Sequence, residues 1–162
     1  MSLRAMILVL SDASSRGERE DLSGPAVRGA LESRGWLVAP IEILGDDLDL
    51  IHQRLLDLTD GDDCDVVVTS GGTGVSPRDV TPEATRTVIE KEIPGLAELM
   101  RAEGFKKTRR AVLSRGVVGV RKGKLIVNLP GSPRGARESL EFIVDLLPHI
   151  VDLIQGRTAH HE

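Results

Sequence analysis

Three glycines within four positions, Gly71, Gly72 and Gly74, with Thr73 among them, follow the apolar run Val66-Val67-Val68 and precede a helix-start signal at Thr81-Pro82-Glu83. A backbone without Cβ atoms can turn its N–H groups onto an anion and adopt positive φ where a turn requires it. The chemistry this pattern predicts is phosphate binding at a strand–loop–helix junction. It is not the P-loop pattern, because no Gly-Lys-Ser/Thr follows, nor does it have the spacing of the dinucleotide fingerprint. Two carboxylates stand at comparable loop positions. Asp79 directly follows the glycines and either favours the next helix's dipole or binds a cation carried by phosphates. Asp46, after another strand, is equally a helix cap or a metal-facing acid. Facing each other, the two would hold Mg²⁺, which shares its ligands with substrate phosphates. No serine has a partner histidine in a recognisable nucleophile–base arrangement. His52 lacks a second histidine or cysteine at ligand spacing, and the single Cys64 excludes an internal disulfide.

The elements that must position these residues alternate between strand and helix. Met6–Leu10 reads as a first, doubly covered strand, followed by a long polar loop from Ser11 to Asp21. Ser23-Gly24-Pro25 starts a helix, with Ser23 as its cap and Gly35 as its stop. Trp36–Ile43 reads as one strand that Pro40 marks as an edge or a bend, and Leu48, Ile51, Leu55 and Leu58 recur at helical spacing. Asp65–Ser70 is the strand that feeds the glycine loop; a helix from Thr81 then breaks at Pro94-Gly95, and another begins at Leu96. Val117–Val120 and Leu125–Leu129, joined through Arg121-Lys122-Gly123-Lys124, predict an antiparallel hairpin. Asn128-Leu129-Pro130-Gly131-Ser132-Pro133-Arg134-Gly135 repeats the strand–turn–helix logic, ahead of a helix with Ala136, Leu140, Ile143 and Leu147 on one face. Pro148 interrupts it, and a short helix with Ile150, Val151 and Ile154 closes the order. The fold class is therefore α/β: an open, mostly parallel sheet with one antiparallel edge. Its carboxyl-end loops, Ser11–Asp21, Gly45–Asp47, Gly71–Asp79 and Asn128–Arg134, gather along one side.

Composition narrows the function classes. The 162 residues are 40% hydrophobic and 28% charged, an ordinary globular mixture that predicts one domain over 1–155 with a polar tail, 156–162. No apolar stretch approaches the ~20 residues of a membrane span, and no signal pattern opens the chain; with the lone cysteine this predicts a cytoplasmic protein. A net charge of −4 argues against nucleic acid as a partner, and Trp36, Phe105 and Phe142 are too few aromatics for a base-stacking platform. Between Phe105 and Lys124, however, eight basic residues stand with no acidic one. They form either a solvated rim or a local field for a polyanionic small molecule.

Thr69-Ser-Gly-Gly-Thr-Gly-Val-Ser-Pro-Arg-Asp-Val-Thr-Pro-Glu-Ala84, with Asn128-Leu-Pro-Gly-Ser-Pro133 downstream and Ser11-Asp12 at the first strand end, resembles the molybdenum-cofactor biosynthesis family of Mog and MoaB-like proteins. The resemblance spans the chain from the first strand to about Leu147. It implies a three-layer α/β/α, molybdopterin-binding-like fold and a homotrimer. It also implies a molybdopterin adenylyltransferase, joining molybdopterin to AMP from ATP with Mg²⁺ and releasing pyrophosphate; the alternative is a non-catalytic module that holds molybdopterin or a nucleotide. Carried over by residue, the catalytic and metal-holding aspartates match Asp46 and Asp79, with Asp47 an alternative to Asp46. The nucleotide loops match Gly71, Gly72, Thr73, Gly74, Pro130, Gly131 and Ser132, and Ser11, Asp12, Ser14 and Ser23 fall on the molybdopterin side. Several relatives carry Arg after the Ser-Asp pair where this chain has Ala13, with Arg16 a candidate replacement.

Overall fold

The computed structural model describes residues 2–157. Its middle layer is a seven-stranded sheet built from β1 (Arg4–Leu10), β2 (Leu37–Val38), β3 (Glu42–Leu44), β4 (Val66–Ser70), β5 (Lys91–Glu92), β6 (Val118–Arg121) and β7 (Lys124–Leu129). The strand order is β2-β1-β4-β7-β6-β5, with β3 also pairing β1. β1 runs parallel to β2, β3 and β4, and β4 parallel to β7; β6 is antiparallel to both β7 and β5. The expected hairpin thus supplies the antiparallel edge. Register sets Val9 beside Ser70 and Ser70 beside Leu129, so three parallel strands finish level with one another.

Helices cover both faces, which is why the central strands read as unbroken apolar runs rather than alternating ones. On one face Ile7, Val9, Val68 and Val127 meet α2 (Ser23–Glu32), α5 (Pro94–Phe105), α6 (Pro133–Ile143) and α7 (Leu147–Ile154) through Val27, Leu31, Leu96, Leu140 and Leu147. On the other, Leu8, Leu10, Val67 and Ile126 meet α3 (Leu48–Asp60) and α4 (Thr81–Arg86) through Ile51, Leu55 and Ala84, with Val88 just beyond α4. Full burial of each such side chain contributes roughly 1.5–3 kcal/mol, and this opposes the entropy of ordering the loops above.

Several elements depart from the sequence expectation. Trp36–Ile43 is not one strand: Trp36 is buried ahead of β2, and the Ala39-Pro40-Ile41 stretch separates two short edge strands on β1. Pro40 has no N–H to offer a ladder, so pairing lapses around it. Within the polar loop after β1, Asp12–Ser15 forms one helical turn, α1. α5 begins at Pro94 rather than Leu96, because proline suits a first helical turn. The break between the last two helices lies at Val144–Leu146, ahead of Pro148, which sits in the first turn of α7. β5 carried no sequence signal; two exposed residues pair there with Gly119 and Val120. The expected tail lies outside the described residues from position 158 onward. Among the described residues no helix is long and apolar enough to cross a membrane.

Candidate functional site

The chain leaves β1 for the edge strands on one side and returns to β4 on the other, so the carboxyl ends of β1 and β4 flank a topological switch point. The glycine loop rises there. Gly71 has φ 104° and Gly72 φ 68°; a Cβ at Gly71 would run into the Leu10 carbonyl oxygen, and one at Gly72 into Thr81 Oγ1. Both positions therefore demand glycine for conformation and for space. Thr81 closes the loop's base, donating its hydroxyl to Gly71 O at 2.9 Å and its N–H to Gly72 O at 3.1 Å. The N–H groups of Gly72, Thr73 and Gly74 have no acceptor among the described residues, which leaves three donors in sequence for an anion. The second loop is tied to the first: Ser70 donates its hydroxyl to Pro130 O at 2.8 Å, and Gly131 packs so closely that an added Cβ would lie 3.3 Å from Gly71 Cα. Ser132 caps α6, accepting from Gly135 N at 3.0 Å.

The ambiguity between Asp46 and Asp47 is resolved by the backbone. Asp47 is the cap of α3, accepting from Leu50 N at 3.0 Å, and Asp46 turns toward the loops. Asp46 and Asp12 hold each other reciprocally: Asp12 N donates to Asp46 Oδ2 at 3.1 Å, and Asp46 N to Asp12 Oδ1 at 2.9 Å. Asp12 also receives Arg78 in a two-pronged ion pair, both bonds 2.9 Å. That guanidinium, and then the Asp46 N–H, draw the Asp12 carboxyl down to about 2. Asp46 moves the other way. Burial, reinforced by the charges of Asp12 and Asp79, raises its pKa, and its Oδ1 is buried without any hydrogen-bond partner. Asp79 sits on the rim of the loop; its Oδ2 accepts from Ser76 N and Oγ at 2.9 and 2.7 Å, while Oδ1 takes no donor among the described residues. A lone buried carboxylate oxygen is costly unless something cationic or protic meets it. The donor set fits Mg²⁺, which needs one or two carboxylates and takes its other ligands from water and phosphate. Among the described residues no group of three or more His, Cys, Asp or Glu side chains could make a protein-only metal cage.

Two clefts share this wall. One, about 410 Å³, runs from Gly72, Gly74 and Asp79 over Gly131 and Ser132 to Met100, Arg110, Asn128 and Phe142. The other, about 520 Å³, runs from Gly71, Gly72, Asp46, Asp79, Gly131 and Ser132 to Ser11, Ser14, Arg19, Asp21 and Ser23. Most residues singled out from the sequence therefore converge here. Their roles differ in detail. Ser11 caps α1, accepting from Ser14 N at 3.2 Å. Ser23 is not the cap of α2: it is buried inside the first turn and donates its hydroxyl to Asp21 Oδ1 at 2.8 Å, and Asp21 also accepts from Ser23 N and Gly24 N. Arg16 pairs with Glu18 at 3.0 and 3.1 Å and lines neither cleft, whereas Arg19 lines the second. Two roles escaped sequence reasoning: that of Asn128, named only as the head of the second loop, and that of Arg115. Asn128 is buried, bonding Thr69, Thr85 and Val117 N beneath the first cleft, and Arg115 grips the glycine loop from behind. The basic run offered no signal that distinguished Arg115 from its neighbours.

The family model described as a probable molybdopterin binding domain matches residues 6–149. The chain belongs to that family. A molybdopterin adenylyltransferase of Helicobacter pylori strain J99 is 46% identical over 154 residues, covering 93% of this chain and 86% of that protein. The Escherichia coli K12 protein of the same name is 39% identical over 171 residues, covering 96% and 87%. Among solved structures, a molybdopterin biosynthesis enzyme MoaB from Thermus thermophilus superposes with a TM-score of 0.90 at 49% identity, over 95% of this chain and 97% of that one. The family's three-layer fold, its sheet mostly parallel with an antiparallel edge, is the fold described above.

Proposed function

We propose that this chain is a molybdopterin adenylyltransferase, a nucleotidyltransferase of molybdenum cofactor biosynthesis that joins molybdopterin to AMP taken from ATP and releases pyrophosphate. The observation that carries the reading is the unpartnered, buried Asp46 Oδ1 in the second cleft, set near a wall of Gly72, Asp79, Gly131 and Ser132 that the second cleft shares with the first, where the free N–H groups of the glycine loop stand. One cleft for each substrate, with phosphate-binding donors and paired carboxylates between them, is what transfer between two phosphate-bearing molecules requires. The names of the relatives from Helicobacter pylori and Escherichia coli support the same activity over a non-catalytic module.

In this reading Gly71, Gly72, Thr73 and Gly74, with Pro130, Gly131 and Ser132, receive the nucleotide phosphates, and the Ser11–Ser14 turn and Ser23 line the molybdopterin side. Asp12 contributes by orienting Asp46, since its own carboxylate is occupied by Arg78 and Asp46 N. A terminal phosphate oxygen of molybdopterin bonds to the α-phosphorus of ATP; the bond from that phosphorus to the bridging oxygen breaks, and the electron pair leaves with pyrophosphate. A phosphate nucleophile is already ionised near neutral pH, so no general base is needed. The loop N–H groups stabilise charge on the phosphate oxygens as it redistributes. Asp46 Oδ1 and Asp79 Oδ1 would hold Mg²⁺, which when bound offsets phosphate charge. A homotrimer in the cytoplasm, with 1–155 as one molybdopterin- and nucleotide-binding domain, belongs to the same proposal.

The test is an incubation with ATP, Mg²⁺ and molybdopterin in which pyrophosphate and adenylylated pterin are both quantified. Wild type is expected to form the two in equal amounts. Asp79→Asn and Asp46→Asn should each lower kcat about 10²–10³-fold, the scale of removing one transition-state contact, with ATP affinity changing far less. Equal losses of turnover and affinity in Asp79→Asn would remove it from the chemistry, and ATP turnover independent of pterin would point to a different nucleotide enzyme.

A further inference from the structure

The basic run after Phe105 holds one arginine whose donors converge on the glycine loop. Arg115 N donates to Thr73 O at 2.8 Å, its Nε to Gly74 O at 2.8 Å, and its Nη2 to Asp79 O at 3.0 Å, while Nη1 pairs with Glu83. None of those three carbonyls has another donor among the described residues. The guanidinium thus bridges the two ends of the Gly74–Asp79 turn from a segment far downstream in the chain. That segment is anchored in turn, because Val117 N donates to buried Asn128 and Arg101 donates to Gly116 O at 3.3 Å. The chain of contacts runs from β7, through Asn128 and Arg115, to the backbone of Asp79.

We infer that Arg115 is a positioning residue for the proposed transfer: it staples the glycine loop so that the free N–H groups and the Asp79 carboxylate keep one mutual geometry. The inference rests on the adenylyltransferase reading for its catalytic consequence, not for its structural one. An exposed arginine paired only with a glutamate would be worth little. Here a planar fork meets two carbonyls with two separate donors, a geometry that a lysine ammonium does not reproduce. Without the guanidinium the turn keeps the short contacts between Ser76 and Asp79, the Arg78–Asp12 ion pair, the Arg115 main-chain bond to Thr73 O and the Thr81 bonds at its base, but nothing that ties Gly74 O to Asp79 O. Displacements of about 1 Å at reacting groups cost on the order of 10²-fold in rate.

Arg115→Met and Arg115→Lys, with Glu83→Gln as the comparison, test this by kinetics, thermal melting and hydrogen–deuterium exchange of the full chain. Arg115→Met is expected to lose about 10²-fold in kcat while KM for ATP moves less than about 3-fold, and Arg115→Lys to fall between it and wild type. Exchange should accelerate at Ser76 and Asp79, whose N–H groups are bonded within the turn, and stay at the wild-type rate in β1, β4 and β7. Glu83→Gln should retain kcat within about 3-fold, since it leaves the carbonyl bonds in place. Wild-type exchange at Ser76 and Asp79 in both Arg115 variants overturns the inference. So does a global rise in exchange with a lower melting temperature, or a kcat that survives the substitution. If wild type forms no adenylylated pterin, the activity reading fails on that assay alone, and the exchange comparison still decides whether Arg115 holds the loop.

Discussion

At the scale of single residues, Asp46 shows how a candidate site can oppose the stability of its fold. Its backbone N–H and one carboxylate oxygen are satisfied by Asp12, yet Oδ1 is buried with nothing to meet it, and burial raises its pKa. A carboxyl whose folded pKa lies above its unfolded value favours the protonated native state. Ionised Asp46 therefore destabilises the metal-free fold, and that penalty grows as pH rises from the ordinary carboxylate value to the raised one. Asp46→Asn should be more stable than wild type in urea unfolding at pH 7 with Mg²⁺ chelated, while losing activity. The gain should vanish as pH falls below the Asp46 titration, where wild type is itself neutral at this position. Asp12 carries the opposite sign: Arg78 depresses its pKa to about 2, so its contribution is present above the ordinary carboxylate range and is lost as pH falls toward about 2. An Asp46→Asn variant no more stable than wild type at pH 7 would mean that the orphaned oxygen carries no penalty.

At the scale of elements, the caps decide where the loops point. Asp21, not Ser23, secures the start of α2, accepting from Ser23 N at 2.9 Å and Gly24 N at 3.1 Å and taking the buried Ser23 hydroxyl at 2.8 Å. Asp21→Ala should cost about 1–2 kcal/mol in urea unfolding, the value of a lost cap with a stranded hydroxyl; a change below ~0.5 kcal/mol, the low end for such caps, would refute the capping role. The difference between these two residues also shows what was legible in the sequence. The runs around Val66–Val68 and Leu125–Leu129 were readable because strands covered on both faces are apolar throughout, and the glycine loop was readable because no other residue fits φ 68° against Thr81. Ser23 followed by Gly24-Pro25 carries every local mark of a cap, but the donor–acceptor choice was settled by Asp21, inside a stretch that reads only as polar loop. Asp46 and Asp47 are chemically identical in a string, and only the cap bond of Asp47 at the start of α3 separates it from the Asp46 that faces the cleft. Arg115 was hidden for a related reason: its partners are backbone carbonyls, which leave no trace in residue type.

At the scale of the whole molecule, the site belongs to no single element. β1, β3, β4 and β7 each deliver one loop to the same end of the sheet, and the ties between them, Ser70 to Pro130, Arg78 to Asp12 and Asp46 to Asp12, cross from loop to loop. A ligand that meets this wall therefore binds only the folded chain, and mass action must raise its stability by RT ln(1 + [L]/Kd), about 2.7 kcal/mol at a hundredfold excess over Kd. Under the proposed metal role of Asp46, whose Oδ1 has no hydrogen-bond partner, the metal and the nucleotide should stabilise cooperatively: a phosphate-bound Mg²⁺ would relieve a carboxylate penalty that ATP alone would worsen by adding like charge. In thermal melts, Mg²⁺ with ATP should raise Tm by more than the separate effects of ATP with chelator and Mg²⁺ alone combined. That excess should disappear in Asp46→Asn, where the penalty has already been removed. Additive shifts in wild type would mean that the carboxylates and the glycine loop do not share one metal–nucleotide complex, and would move Mg²⁺ away from Asp46.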